Sequence, residues 1–102
     1  MVKYIKDDAY SFEHCVQRYK ERYNKILIKK NYDLLNNKIK KWLIDNDNSF
    51  KIISKYKIDK TNYSYILEYF FDNEYVYITY DSSKKYITTF LPPSSIHNYK
   101  KN

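Results

Sequence analysis

The 102-residue sequence has no glycine, one cysteine, one tryptophan and two prolines. Without glycine there is no phosphate-cradling P-loop and no dinucleotide fingerprint, since both need backbone that a Cβ would obstruct. One cysteine excludes an internal disulfide and a cysteine-based zinc cluster, and two histidines add no zinc site of recognisable spacing. No Ser/His/Asp set stands out by spacing. No apolar run approaches the roughly 18–20 residues of a membrane span. The opening Met-Val-Lys-Tyr-Ile-Lys-Asp-Asp also lacks the apolar stretch of a secretory signal. The expectation is a single cytoplasmic domain with no membrane partner, no metal and no cofactor.

What is present is aromatic and basic. Tyrosine occurs 14 times and aromatics make up 20% of the chain, too many for a disordered segment despite the 30% of charged residues. Nineteen basic residues against twelve acidic give a formal charge of +7. Only Arg18 and Arg22 are arginines, and AT-rich coding alone would enrich Lys, Asn, Ile and Tyr together. The distribution says more than the sum. Residues 1–30 hold eight basic and four acidic groups, residues 31–60 seven and four, and residues 61–102 four of each. A positive field confined to the first sixty residues suits a polyanion such as RNA.

The hydrophobic period divides the chain in two. Residues 1–8 read as a polar leader. From Ser11, a candidate N-cap, Phe12, Cys15, Val16, Tyr19 and Tyr23 make one stripe at helical spacing. A second helix is expected over 32–44, burying Leu35, Ile39, Trp42 and Leu43 and stopped by Asp45-Asn-Asp-Asn48. The residues then favour strands, over 50–58, 63–71, 74–80 and 85–91, joined by turns at 59–62, 72–73 and 81–84. Pro92-Pro93 ends the last strand, and 94–102 reads as a polar, frayed tail. The order ααββββ predicts an α+β domain, with two N-terminal helices packed on a four-stranded antiparallel meander.

Chemistry gathers in two places. His14 lies off the apolar stripe, near the expected start of the first helix, where the dipole would lower an imidazole pKa. Arg18 and Arg22 follow at successive turns on the same face. A neutral imidazole can deprotonate a ribose 2′-hydroxyl, and guanidinium can hold the charge that develops on phosphorus. The plain alternative is a solvated face paired with Glu13 and Glu21. In the fourth strand, strict alternation puts Ile87, Thr89 and Leu91 on one face and Tyr86, Thr88 and Phe90 on the other. A threonine hydroxyl there could orient a phosphate. Tyrosines crowd the last three strands, Tyr80 and Tyr86 among them, and exposed rings would stack bases. His97, in the tail, reads as surface, and Cys15 as core.

Two segments resemble a known family. Ser11-Phe-Glu-His14-Cys-Val-Gln-Arg18-Tyr-Lys-Glu-Arg22 is similar to the s-x-H-x-x-x-R-x-x-x-R opening helix of small RelE-like domains. These domains belong to the barnase–EndoU–colicin–RelE-like (BECR) ribonuclease superfamily. Val76 to Pro92 resembles that group's last hairpin, v-v-x-D-x-x-x-x-x-i-x-T-x-x-P, with Asp81, Ile87, Thr89 and Pro92 at the matching places. Where the family turn usually has glycine after the aspartate, this chain has Ser82-Ser83. The resemblance covers about thirty residues and implies a metal-independent endoribonuclease, toxin-like or of phage or mobile-element origin. It implies RNA as substrate, an antitoxin or host protein as partner, and for a phage-encoded chain the host cytoplasm as location. Carried across, His14 is the acid/base, Arg18 and Arg22 the phosphate clamp and Thr89 the hairpin hydroxyl, with Thr88, Tyr80 and Tyr86 as substrate contacts. The competing expectations are a non-catalytic nucleic-acid- or protein-binding module on the same fold, and an interaction factor using its tyrosine-rich sheet.

Overall fold

A computed structural model describes residues 7–98, with side chains from Tyr10 onward. The first six residues of the expected leader and the last four of the expected tail lie outside the described residues. Two helices, α1 (Asp7–Tyr23) and α2 (Lys29–Asp45), precede β1 (Lys51–Lys57), β2 (Tyr63–Phe71), β3 (Glu74–Asp81) and β4 (Tyr86–Leu91). The strands form one antiparallel sheet in the order β1-β2-β3-β4. This is the α+β arrangement expected from the change of hydrophobic period. Among the described residues, no helix is long and apolar enough to cross a membrane.

Both helix starts differ from expectation. The α1 helix begins at Asp7, so Asp7 and Asp8 are not leader and Ser11 is not its N-cap. Ser11 lies one turn inside, 8% exposed. The apolar stripe begins at Phe12, and the sequence before it, Asp7-Asp8-Ala9, has no large apolar residue to extend that stripe. The α2 helix starts at Lys29 behind Ile28, which offers no side-chain cap. The expected tail is corrected too. Pro93–Asn98 forms a 3₁₀ helix against β3 and buries Ile96. Ile96 and Ile66 are buried, yet both lie outside the main core.

Every left-handed position falls on a residue other than glycine: Asn24, Asn46, Asp72, Asn73 and Lys85 have φ between 53 and 69°. Asn and Asp tolerate this region best among side-chain-bearing residues. Asn24 and Asn46 cap α1 and α2, sending their N–H groups to the Lys20 and Trp42 carbonyls at 3.0 and 2.6 Å. Asp72-Asn73 makes the two-residue turn between β2 and β3, with both residues at positive φ as a type I′ turn requires.

The core lies between the helices and one face of the sheet. Cys15, Tyr19 and Tyr23 of α1 and Tyr32, Leu35, Ile39 and Trp42 of α2 meet Leu67, Val76, Ile78, Tyr80, Ile87 and Phe90. Strict alternation fails in β4. Tyr80 pairs with Ile87 and Thr79 with Thr89, leaving Thr88 as an extra residue. Ile87 and Phe90 consequently share the buried face, each fully buried, which corrects the expected grouping of Phe90 with Thr88.

Strand β4 pairs only with β3, so one side of its backbone needs other partners. The helices supply them as side chains. The Ile87 N–H donates to Asn36 Oδ1 at 2.8 Å, and the Ile87 carbonyl accepts from Tyr32 Oη at 2.8 Å and more weakly from Cys15 Sγ at 3.8 Å. The Phe90 carbonyl accepts from Arg22 Nη1 at 2.6 Å. On the other side of the strand, Tyr23 Oη bridges the β3–β4 pair Tyr77/Leu91, donating to the Leu91 carbonyl at 2.6 Å and accepting the Tyr77 N–H at 3.0 Å.

Asn36 is thus a buried polar group with a structural duty. Its replacement by Ala leaves the Ile87 N–H unpaired, at a cost of about 1–3 kcal/mol. Urea denaturation of Asn36→Ala is expected to show that loss, while Asn37→Ala, one residue on and exposed, stays within about 0.5 kcal/mol of wild type.

Candidate active site

The side chains that cap β4 fix the register of α1 along it. Cys15 and Tyr23, eight residues apart on α1, contact Ile87 and Leu91, four apart on β4. Eight helical residues rise about as far as four in a strand, and His14 sits beside Cys15 in this register. The imidazole Nε2 and the Thr89 hydroxyl share a hydrogen bond of 3.1 Å. Beside them is an open groove of about 300 Å³, lined by Tyr10, Ser11, His14, Lys84, Tyr86 and Thr88. The bulge sets two threonines side by side: Thr89 holds the imidazole, and Thr88 lines the groove while its hydroxyl meets that of Thr79 at 2.5 Å.

Lys84 reaches the groove from a tightly bonded turn. One Asp81 carboxylate oxygen accepts the Ser83 N–H at 2.8 Å, the Ser83 hydroxyl at 2.6 Å and the Lys84 N–H at 3.3 Å. The Lys85 N–H then returns to the Asp81 carbonyl at 2.7 Å, with Lys85 in the left-handed region. Ser82-Ser83 occupies this turn without needing positive φ, which falls instead on Lys85.

His14 is the eighth residue of α1, so the helix dipole invoked from the sequence does not act on it. Its pKa is nonetheless lowered from 6.5, first by burial and then by the positive charges of Arg18 and Arg22, with Glu21 opposing. The imidazole is therefore neutral at pH 7, the form that accepts a proton.

The two arginines do not form the expected clamp. Arg22 is tied to the Phe90 carbonyl, and Arg18 pairs with Glu21 at 2.7 Å. Gln17 also donates to Glu21, at 3.2 Å, and these two donors hold its carboxyl below the usual range. Neither arginine lines the groove. Tyr80 is a further correction. It is 1% exposed in the core, where burial pushes its phenol up to about 12, and it cannot meet a substrate. Tyr86 does line the groove. Of the other strand tyrosines, Tyr65 is also buried, Tyr77 donates to Glu68 at 2.8 Å, and the exposed Tyr75 packs edge-on to Phe70 with ring centroids 5.1 Å apart.

The sequence reading passed over Tyr10, Ser11 and Lys84 as groove residues. Tyr10 stands four residues before His14, and that spacing marks a shared face once α1 is extended to Asp7. Lys84 had no such signal, because the approach of its turn to α1 depends on the tertiary packing of β4. Among the described residues, no group of three or more His, Cys, Asp and Glu side chains is placed to hold a metal ion. Comparison with family models, curated proteins and solved structures finds no match to this chain.

The protonation state of His14 can be read directly. An NMR titration resolving both imidazoles, assigned through His97→Asn, is expected to give His14 a pKa below 6.5. Arg18→Ala removes one of the two positive charges acting on it and raises that pKa. The depressed value also links to stability: the unfolded chain binds the His14 proton more readily, so this contribution is full above pH 6.5 and declines as pH falls through the folded pKa.

Proposed function

We propose that the protein is a metal-independent endoribonuclease that cleaves RNA by attack of the ribose 2′-hydroxyl on the adjacent phosphate. The observation that carries this reading is a neutral imidazole, held by Thr89, at the edge of a groove that Lys84 also lines. In that arrangement His14 takes the 2′-hydroxyl proton. The oxygen bonds to phosphorus, the bond from phosphorus to the 5′-oxygen breaks, and that oxygen takes up a proton as it leaves. A 2′,3′-cyclic phosphate and a 5′-hydroxyl result. Lys84 and the Thr88 hydroxyl supply positive charge and a hydrogen bond where the phosphorane charge grows. The resemblance of the α1 and β3–β4 segments to RelE-like domains supports the same reading, as does the basic excess of the first sixty residues.

A second reading draws on the arginines. With Arg18 held by Glu21 and Arg22 by a backbone carbonyl, the guanidinium charge is committed within the chain. A groove lacking that clamp suits a module that grips RNA without cutting it. Such a module gives salt-dependent binding and returns its RNA intact.

Incubation of single-stranded and structured RNA with EDTA present separates the two. Cleavage with cyclic-phosphate ends is expected from wild type, reduced by about 10²-fold or more in His14→Ala, the scale of a lost general base. The rate falls as pH drops through the lowered His14 pKa. Equal cleavage by the two proteins, or none by either, overturns the nuclease reading.

A further inference from the structure

We infer that Tyr10 is a base-stacking residue, and that the groove consequently takes single-stranded rather than paired RNA. The inference rests on reading the groove as an RNA site; it does not require that the RNA be cut. Tyr10 is 71% exposed although it lines the groove beside the imidazole. Its ring lies 6.5 Å from that of His14, centroid to centroid, with only 22° between the planes. Residues i and i+4 of a helix sit one above the other, so both rings stand out from the same face of α1. The core does not claim Tyr10: the aromatic contacts of Tyr19 and Tyr23 lie with Phe90 and Phe71, on the stripe about half a turn away.

An exposed aromatic face next to a neutral imidazole and an ammonium matches the parts of one nucleotide step. Lys84 meets the phosphate, His14 the sugar hydroxyl, and Tyr10 the base. Stacking partners lie with ring centroids about 4.5–7 Å apart. A base on Tyr10 is therefore within one nucleotide of the imidazole. A base inside a duplex already has both faces covered by its neighbours, and A-form grooves do not present those faces to side chains. Only an unpaired nucleotide can use this ring. Stacking on an aromatic side chain is tolerant of base identity, so Tyr10 selects for strandedness more than for sequence.

The test uses a short 2′-O-methyl RNA carrying one 2-aminopurine. It cannot be cleaved by 2′-hydroxyl attack, and its fluorescence is quenched on aromatic stacking. Wild type is expected to quench the single-stranded probe, and annealing the complement weakens binding by at least about tenfold. Tyr10→Ala weakens binding to the single strand by about tenfold or more, while Tyr10→Trp retains both affinity and quenching. Because Tyr10 is exposed, far-UV circular dichroism and thermal unfolding of Tyr10→Ala are expected to match wild type. Quenching unchanged in Tyr10→Ala, equal affinity for the duplex, or no binding of the probe by wild type overturns the inference. Quenching by wild type together with an absence of cleavage of ordinary RNA leaves it standing and removes only the nuclease reading.

Discussion

Strand β4 has one hydrogen-bonded neighbour, and the groups on its other side cannot be left dry and unpaired. Everything about the candidate site follows from how that need is met. Neither a fifth strand nor solvent satisfies it. Asn36, Tyr32 and Arg22 reach across from the helices to the backbone of Ile87 and Phe90, and Tyr23 ties α1 to the Tyr77/Leu91 pair on the β3 side. These bonds have fixed partners, so they set the position of α1 along β4 as well as its orientation. His14, on the same helix, meets Thr89. The tyrosine content, which composition alone assigns to no role, finds part of its use here: a phenol can be buried by its ring and still deliver a hydroxyl to an exposed carbonyl.

The same arrangement divides the labour between cations. Arg22 lies with His14 on one flank of α1, yet its guanidinium is structural, and Arg18 is drawn to Glu21. Burial is the first cause of the lowered imidazole pKa, and both arginines add to it through their charge. The cation that enters the groove is a lysine from the β3–β4 turn. A helix motif of one histidine and two arginines thus tunes a base from a distance, and a separate element supplies the contact charge.

Much of the fold was legible because the hydrophobic period changes once, from helical spacing before residue 46 to strand-forming composition after it. The second strand, Tyr63–Phe71, matches its expected limits, since a run of aromatic and aliphatic strand formers and flanking Asp/Asn turns agree there. Legibility failed where a signal was absent or misread. The sequence Asp7-Asp8-Ala9 has no large apolar residue to continue the stripe, so the start of α1 at Asp7 has no periodic signal. The β4 bulge has no sequence mark, because Thr88 and Thr89 both suit a strand and only the burial of Ile87 and Phe90 together reveals the extra residue. Nothing in the polar pair Asn36-Asn37 marks one member as buried; the burial of Asn36 is decided by the edge strand about fifty residues later. At the site, His14 and Thr89 were nameable from residue type and resemblance, whereas Tyr10 and Lys84 required the packing of two distant segments to come together.

The chain bends sharply without glycine, and its turns are correspondingly stiff. An unfolded glycine samples far more backbone conformations than an asparagine, aspartate or lysine, so glycine-free corners lose less freedom when they form. In the corner before β4 the Asp81 carboxylate adds its own bonds to Ser83 and Lys84. A charge mounted on so constrained a support is already in position when an anion arrives. Whatever entropy its binding costs is confined to the four methylenes of the lysine stem.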